Sequence, residues 1–297
     1  MSAALSAAAA PVPPAAGMLR QRIATALVLV IVLLGALAAD SAWPFALLTL
    51  VLIAACGWEW GRLNQAGDAL ALGMGVLVGI AGAAALLAGL KQQAPAPLWW
   101  SVVALWVVAG FVAIRQGPSA WPRLPRLGRW LLGVLMLWSA WLALTQARAT
   151  GINFLLSVLA LVWMADVAAY FGGRAFGRRK LAPAISPGKS WEGVWSGMVG
   201  VLALSALWIA IDRHFAVDTP SLYTRLWQHA GLAGLVVALL ALCALSVVGD
   251  LIESLVKRAA GAKDSSRLLP GHGGVLDRVD ALLPVLPAAM ALLSWAS

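Results

Sequence analysis

Apolar residues run along this chain in long blocks, not with the alternation of a half-buried strand or the stripe of a surface helix. Nine blocks follow one another, at approximately 23–39, 43–60, 69–90, 98–114, 130–147, 152–171, 191–211, 230–251 and 279–295. Each comes close to the roughly 20 residues that a helix needs to cross a hydrocarbon core. Breakers separate them: Asp40, Gly67, Pro95 with Pro97, Pro118 with Pro122, Gly151, Pro183 with Pro187, Pro220 and Pro270. The pattern predicts an all-α, polytopic integral membrane protein with about nine transmembrane helices. Residues 1–19 read as a disordered Ala/Pro-rich tail. Residues 20–150 read as an N-terminal region of about five helices, and 151–297 as a C-terminal region of about four. The first block also looks like a signal peptide, with Arg20 and Arg22 before it and Ala36-Leu37-Ala38 as a cleavage-like site. Its length, and the apolar block that follows at once, favour a retained span.

Composition supports the pattern. Of 297 residues, 62% are apolar and 11% charged, against about 45–50% and about 25% in soluble domains. Mean hydropathy is +0.89. A disordered chain, a coiled coil and an ordinary soluble enzyme are excluded. Cys56 and Cys243 lie in apolar blocks and offer no disulfide framework. The net charge of +9 does not point to nucleic acid, because no basic stripe is interleaved with exposed aromatics. Topology explains it better. With nine spans and an inside N-terminus, 17 of the 21 Lys and Arg residues fall in inner loops. The positive-inside rule then predicts N-in, C-out. Among the 16 tryptophans, Trp43, Trp58, Trp60, Trp99, Trp100, Trp130, Trp191 and Trp295 sit near block ends and read as an interfacial belt.

Acids mark where chemistry is placed. The first 150 residues hold only Asp40, Glu59 and Asp68, all near block ends. The second half carries Asp166, Glu192, Asp250, Glu253, Asp264, Asp277 and Asp280 on or near the predicted inner face. An Asp at a helix centre costs about 2.5–3.5 kcal/mol on insertion scales, so such residues are functional candidates. The eighth block ends in SVVGDLIESLVKR, where Ser246, Asp250, Glu253, Ser254 and Lys257 form one helical stripe of about 100°. A solvated helix end explains Lys257 and Arg258 but not Asp250. A glycine-rich turn, Pro270-Gly271-His272-Gly273-Gly274, follows and presents backbone N–H groups. Asp277 and Asp280 lie at i and i+3 where the last helix begins, so both can face one site. Acids on two helices amid Lys and Arg suit a hard divalent cation bound to phosphate. His272 alone does not make a zinc site. Lys189 and Ser190 precede a predicted helix start, a favourable place for an anion, although Ser190 could simply cap that helix. Asp166 and Tyr170 share one face of the sixth block.

These residues resemble a known family. The stretch SLVKRAAGAKDSSRLLPGHGGVLDRVD, from Ser254 to Asp280, is similar to the signature of phosphatidate cytidylyltransferases (CDP-diacylglycerol synthases). Ser254, Lys257, Arg258, Lys263, Asp264, Pro270, His272, Gly273, Gly274, Asp277, Arg278 and Asp280 match it in type and spacing. DVAAYFGGRAFG, SPGKSWEG and GDLIES also resemble family segments, so the likeness runs from about residue 166 to 284. It implies cytidylyl transfer from CTP to phosphatidic acid, giving CDP-diacylglycerol and pyrophosphate at the cytoplasmic leaflet of a bacterial inner membrane. It implies Mg2+ held between Asp250 and Asp277, a second cation (K+ or another divalent), and a homodimer. Residue pattern and resemblance together give Asp250, Asp277, Lys263, Asp264 and His272 as catalytic candidates. Lys189, Ser190, Asp166, Tyr170, Glu253, Lys257, Arg258, Arg278, Gly273 and Gly274 are the candidate substrate contacts. Asp250, Asp277 and Asp280 are the candidate metal ligands. A CTP-dependent lipid kinase would share this topology. An ion-coupled transporter would instead place acids near mid-bilayer in two halves with paired broken helices.

Overall fold

The computed structural model describes residues 15–90 and 94–296, so most of the predicted tail and Lys91 lie outside the described residues. Ten α-helices are seen there: α1 (Ala15–Ala38), α2 (Trp43–Leu63), α3 (Asp68–Leu87), α4 (Ala96–Gln116), α5 (Arg126–Thr150), α6 (Ile152–Phe176), α7 (Trp191–His214), α8 (Leu222–Ala259), α9 (Leu276–Val279) and α10 (Leu282–Trp295). Seven of them, α2 to α8, are long and apolar enough to cross a membrane. Local chemistry sets their ends. Prolines stand in the first turn of α2 and α4, where the missing N–H costs nothing. Ser190 and Ser221 cap α7 and α8 by accepting the N–H groups of Gly193 (3.2 Å) and Thr224 (3.3 Å).

The structure departs from the sequence reading in several places. Residues 15–19 open α1 instead of belonging to a tail. A small antiparallel hairpin, β1 (Lys180–Ala182) with β2 (Ser186–Ser190), interrupts the all-helical pattern between α6 and α7. The eighth block is longer at both ends. It breaks at Gly231, whose φ of 64° only glycine adopts readily, and it runs on to Ala259 with the polar stripe attached. The ninth block is α9 plus a 14-residue α10, about 21 Å long and shorter than a bilayer core. It needs no lipid-facing length, because Leu283, Val285, Leu286, Ala288, Met290 and Ala291 are all buried. α10 packs against α4, α5 and α8 as the central post of the bundle.

Tryptophan is also more interior than a belt predicts. Trp43, Trp100, Trp191 and Trp295 are exposed, but Trp60 and Trp99 are buried, as are Trp106, Trp121 and Trp141. A buried indole needs a partner for its N–H. Trp60 donates to the Arg129 carbonyl (2.8 Å) and Trp121 to Asn64 Oδ1 (2.8 Å). These bonds tie the end of α2 to the start of α5 and to the connection that precedes it. At the other end of the bundle, Asp212 of α7 accepts from Asn153 Nδ2 (2.8 Å), Ser221 N (2.9 Å), Ser221 Oγ (2.5 Å) and Thr224 Oγ1 (2.6 Å). The start of α6, the end of α7 and the start of α8 therefore meet in one knot. Arg148 at the end of α5 donates to the carbonyls of Leu37 and Ala39. Two polar layers thus close the two ends of an apolar bundle.

Candidate active site

Three helices build a cavity of about 660 Å³ beneath the hairpin end of the bundle. α6 lines it with Ala165, Asp166, Ala169, Tyr170, Gly173 and Arg174, α7 with Gly193, Val194, Gly197 and Met198, and α8 with Cys243, Ser246, Val247 and Asp250. Each set recurs every three to four residues, the spacing of one helix face. α6 and α7 approach closely. A Cβ on Gly193 would stand 2.9 Å from the Ala169 carbonyl oxygen, and one on Gly197 would stand 2.9 Å from that of Ala165. Small residues at such crossings are how membrane helices pack without a hydrophobic driving force. From Arg174 down to Ala165 the lining descends about 13 Å. The outer end is polar, with Arg174, Lys189, Ser190 and Asp250. The inner end, apart from Asp166, is mostly apolar.

Lys189 leaves the end of β2 and places Nζ 2.5 Å from Asp250 Oδ2. Ser254 Oγ donates to Asp250 Oδ1 at 3.2 Å. α8 meets the α9–α10 joint here. A Cβ on Gly249 would collide with the Asp280 carbonyl oxygen, so residue 249 has room only for glycine. Asp280 faces the charges of Asp250, Lys189 and Asp166, and its Oδ1 accepts the Ala281 N–H (2.7 Å). Burial first, and then the Asp250 carboxylate, push the Asp280 carboxyl above its ordinary range. The Lys189–Asp250 ion pair therefore lies within the field of two further carboxyl groups, Asp280 and Asp166. Oxygen donors in excess of positive charge are what a hard divalent cation takes. Among the described residues no three His, Cys, Asp or Glu side chains form a preassembled cation cage.

A second charged group lies beside the first. Lys257 Nζ sits 2.6 Å from Glu253 Oε2 and 2.7 Å from Asp277 Oδ1. The other oxygen of Asp277, Oδ2, accepts Ser265 N (2.9 Å), Ser265 Oγ (2.9 Å) and Gly274 N (2.8 Å). Burial alone would raise the Asp277 carboxyl. Lys257 and the two backbone N–H groups of Gly274 and Ser265 outweigh burial and hold it well below the usual carboxylate range. Their spacing predicts that Asp277 and Asp280 face one site from one short helix. The structure instead gives them different partners, because Asp277 folds back over the glycine turn while Asp280 turns toward α8.

The turn is shaped in part by its own residues. Gly271 and Gly273 have φ of 76° and 85°. A Cβ on Gly273 would stand 2.9 Å from Asp277 Oδ2, and one on Gly274 would strike Ser265 Oγ and Glu59 Oε1. Arg278 braces the turn by donating to the His272 carbonyl, and Arg258 donates to the Ala262 carbonyl (3.1 Å). Lys263 and Asp264 are exposed on the loop before the turn, and His272 is half-buried within it. Tyr170 is exposed at the cavity edge, with its hydroxyl 3.5 Å from Arg174 Nη1. Glu192 accepts the N–H groups of Arg178 (3.0 Å) and Arg179 (3.1 Å) and pairs with the Arg179 guanidinium, fastening the hairpin to α7.

Sequence reading passed over Glu59, Ser265 and Ser266. Glu59 of α2 is fully buried, and Ser266 Oγ (2.5 Å), Leu276 N (2.7 Å), Val275 N (2.9 Å) and Ser265 Oγ (3.3 Å) all approach its carboxylate. The available signal was an acid inside an apolar run, GWEWGRL, with no basic residue one turn before it. Its nearness to a block end disguised it as an interfacial residue.

Residues 20–296 match the model of the cytidylyltransferase family. The chain is 39% identical over 294 residues to a phosphatidate cytidylyltransferase of Pseudomonas aeruginosa, covering 94% of this chain and 98% of that one. It is 50% identical over 137 residues to the enzyme of the same name from Haemophilus influenzae, covering 46% of this chain and 44% of that one. With the Staphylococcus epidermidis protein of that name it shares 37% identity over 148 residues, covering 50% of this chain and 52% of the other. A match over nearly the whole length, N-terminal half included, places the chain in the cytidylyltransferase family, among the phosphatidate cytidylyltransferases.

Proposed function

We propose that this protein transfers the cytidylyl group of CTP to phosphatidic acid, giving CDP-diacylglycerol and pyrophosphate. The observation that carries this reading is the cavity between α6, α7 and α8. Its outer end offers Lys189, Arg174 and Asp250, and its depth is largely apolar. That division suits a phospholipid whose phosphate stays at the rim while an acyl chain lies along Val194, Met198 and Val247.

An oxygen of the phosphatidate phosphomonoester attacks the α-phosphorus of CTP. The bond from that phosphorus to the bridging oxygen breaks, and pyrophosphate leaves with the electron pair. The nucleophile is already anionic near neutral pH, so no strong general base is needed. The barrier is repulsion between two polyanions. Lys189 and Arg174 hold phosphate oxygens at the rim, and the exposed Lys263, Arg258 and Arg278 reach toward the triphosphate, where preorganised cations offset charge on the leaving group. Lys257 acts through Asp277, because its ammonium is engaged by two carboxylates. Asp250 and Asp280, where α8 meets the α9–α10 joint, would hold magnesium, while Asp277, engaged on both oxygens, orders the turn beside them. When bound, the ion supplies charge neutralisation and alignment of the reacting oxygens. CTP is soluble, and the site lies at the same end of the bundle as Arg178, Arg179, Lys180 and Arg267. The positive-inside rule therefore supports a site at the cytoplasmic leaflet of an inner membrane.

Purified protein given phosphatidic acid, magnesium and CTP labelled at the α or γ phosphorus tests this reading. The α label should enter the lipid and the γ label should leave as pyrophosphate. If the γ label enters the lipid while CDP is released, the protein is a CTP-dependent lipid kinase and the proposal fails.

A further inference from the structure

We infer that Glu59, in the N-terminal half of the chain, is a positioning residue for this reaction: it locks the glycine turn from a separate helix so that Asp277 is held in one orientation. The inference rests on the proposed function for its kinetic readout. A carboxylate enclosed in an apolar helix is costly unless it is fully hydrogen-bonded. Among the described residues no Lys or Arg forms an ion pair with Glu59, and the side-chain hydrogen bonds it accepts come from residues 265–276. A leucine at this position would serve α2 better. What the carboxylate stabilises is the loop.

Two contacts reach the start of α9. Val275 and Leu276 are buried, and their N–H groups open a helix of one turn. A single turn does not hold itself together in isolation. Glu59 satisfies both N–H groups from outside. The other two contacts reach Ser265 and Ser266. The Ser265 hydroxyl lies between Glu59 Oε2 (3.3 Å) and Asp277 Oδ2 (2.9 Å). It has one proton to give, and the shorter distance assigns that proton to Asp277. Ser265 also donates its backbone N–H to the same oxygen. Glu59 thus fixes the element that carries Asp277 through the Val275 and Leu276 N–H groups, and anchors the loop next to Ser265 through the Ser266 hydroxyl. The absent side chain of Gly274 leaves room for both, since a Cβ there would meet Ser265 Oγ and Glu59 Oε1 together.

The test compares wild type with Glu59→Gln, Glu59→Asp, Glu59→Leu, Ser265→Ala and the Glu59→Gln/Ser265→Ala double variant. For each, kcat and KM for CTP and phosphatidic acid are measured per folded molecule, with thermal stability alongside. Gln keeps the shape and one acceptor oxygen but turns an NH2 group against donors. Its kcat should fall roughly tenfold or more, with both KM values within about threefold of wild type. Leu should lose more, and Asp should recover part of the loss. The double variant should be little worse than the poorer single variant, because both act on the one orientation of Asp277. The inference is overturned if Gln and Leu keep kcat within twofold, if KM rises while kcat holds, or if the two losses multiply. Hydrogen exchange supplies a readout without turnover. The amides of Val275 and Leu276 should exchange faster in Glu59→Gln, and unchanged exchange also overturns it. A wild-type protein that makes no CDP-diacylglycerol sinks the proposed function instead, and leaves exchange to decide the role of Glu59.

Discussion

Lys257→Met keeps the length and apolar stem of the side chain and deletes its charge. In the structure that charge stands between Glu253 and Asp277, and the three side chains are 12%, 3% and 8% exposed. Without it, two shielded carboxylates lose their shared counter-charge. Removing one partner from a buried ion pair costs about 3–5 kcal/mol, mostly because the remaining charge is left uncompensated. At about 2–4 °C per kcal/mol, the melting temperature should fall by about 6 °C or more. If that is the mechanism, neutralising the second carboxylate should relieve it. Lys257→Met/Glu253→Gln leaves Asp277 with its backbone and hydroxyl donors and should recover at least half of the lost stability. Turnover should stay low in both variants, because the Oδ1 edge of Asp277 has lost its partner. Thermal unfolding in detergent, followed by tryptophan fluorescence and paired with cytidylyl transfer, reads both effects. A single variant within about 1 °C of wild type, or a double variant no more stable than the single, would refute the reasoning.

Three further outcomes follow from the same geometry. Asp277→Asn should insert and fold but lose turnover, since either orientation of its amide sets an NH2 group against a donor: Lys257 on one side, Ser265 N and Gly274 N on the other. Transfer near the wild-type rate would remove Asp277 from the site. Gly197→Leu should lower thermal stability by about 1–3 kcal/mol or more through overpacking and block the cavity, seen as a raised KM for phosphatidic acid; unchanged stability would contradict the close α6–α7 crossing. Excess EDTA should abolish activity and added magnesium restore it, whereas activity that persists in chelator is incompatible with the proposed cation.

Much of this was legible in the sequence because a bilayer leaves few choices. Apolar runs long enough to cross the hydrocarbon become helices, and breakers such as Pro95 and Gly151 stand where helices begin or end. The polar stripe of α8 and the capping by Ser190 were readable for the same reason, since both depend on residues near one another in the chain. What escaped reading depends on partners that the fold, not the chain, brings together. Trp60 and Trp99 looked interfacial because a span end was visible, while their burial against other helices was not. Asp277 and Asp280 shared a helix start, but the backbone between them sends the two carboxylates to different neighbours. Glu59 was hidden most completely, because its reason for being acidic lies in the opposite half of the chain, at Ser265, Ser266, Val275 and Leu276.

The claim that a lipid phosphate meets the nucleotide at the rim of the α6–α7–α8 cavity can be tested most directly by photo-crosslinking. A phosphatidic acid carrying a diazirine partway along one acyl chain would be irradiated with the purified protein, and the labelled residues identified by mass spectrometry. The account predicts labelling at Val194, Met198 and Val247, suppressed by excess unlabelled phosphatidic acid and weakened by Lys189→Ala. Labelling confined to other helix faces, or unaffected by competing phosphatidic acid, would contradict it.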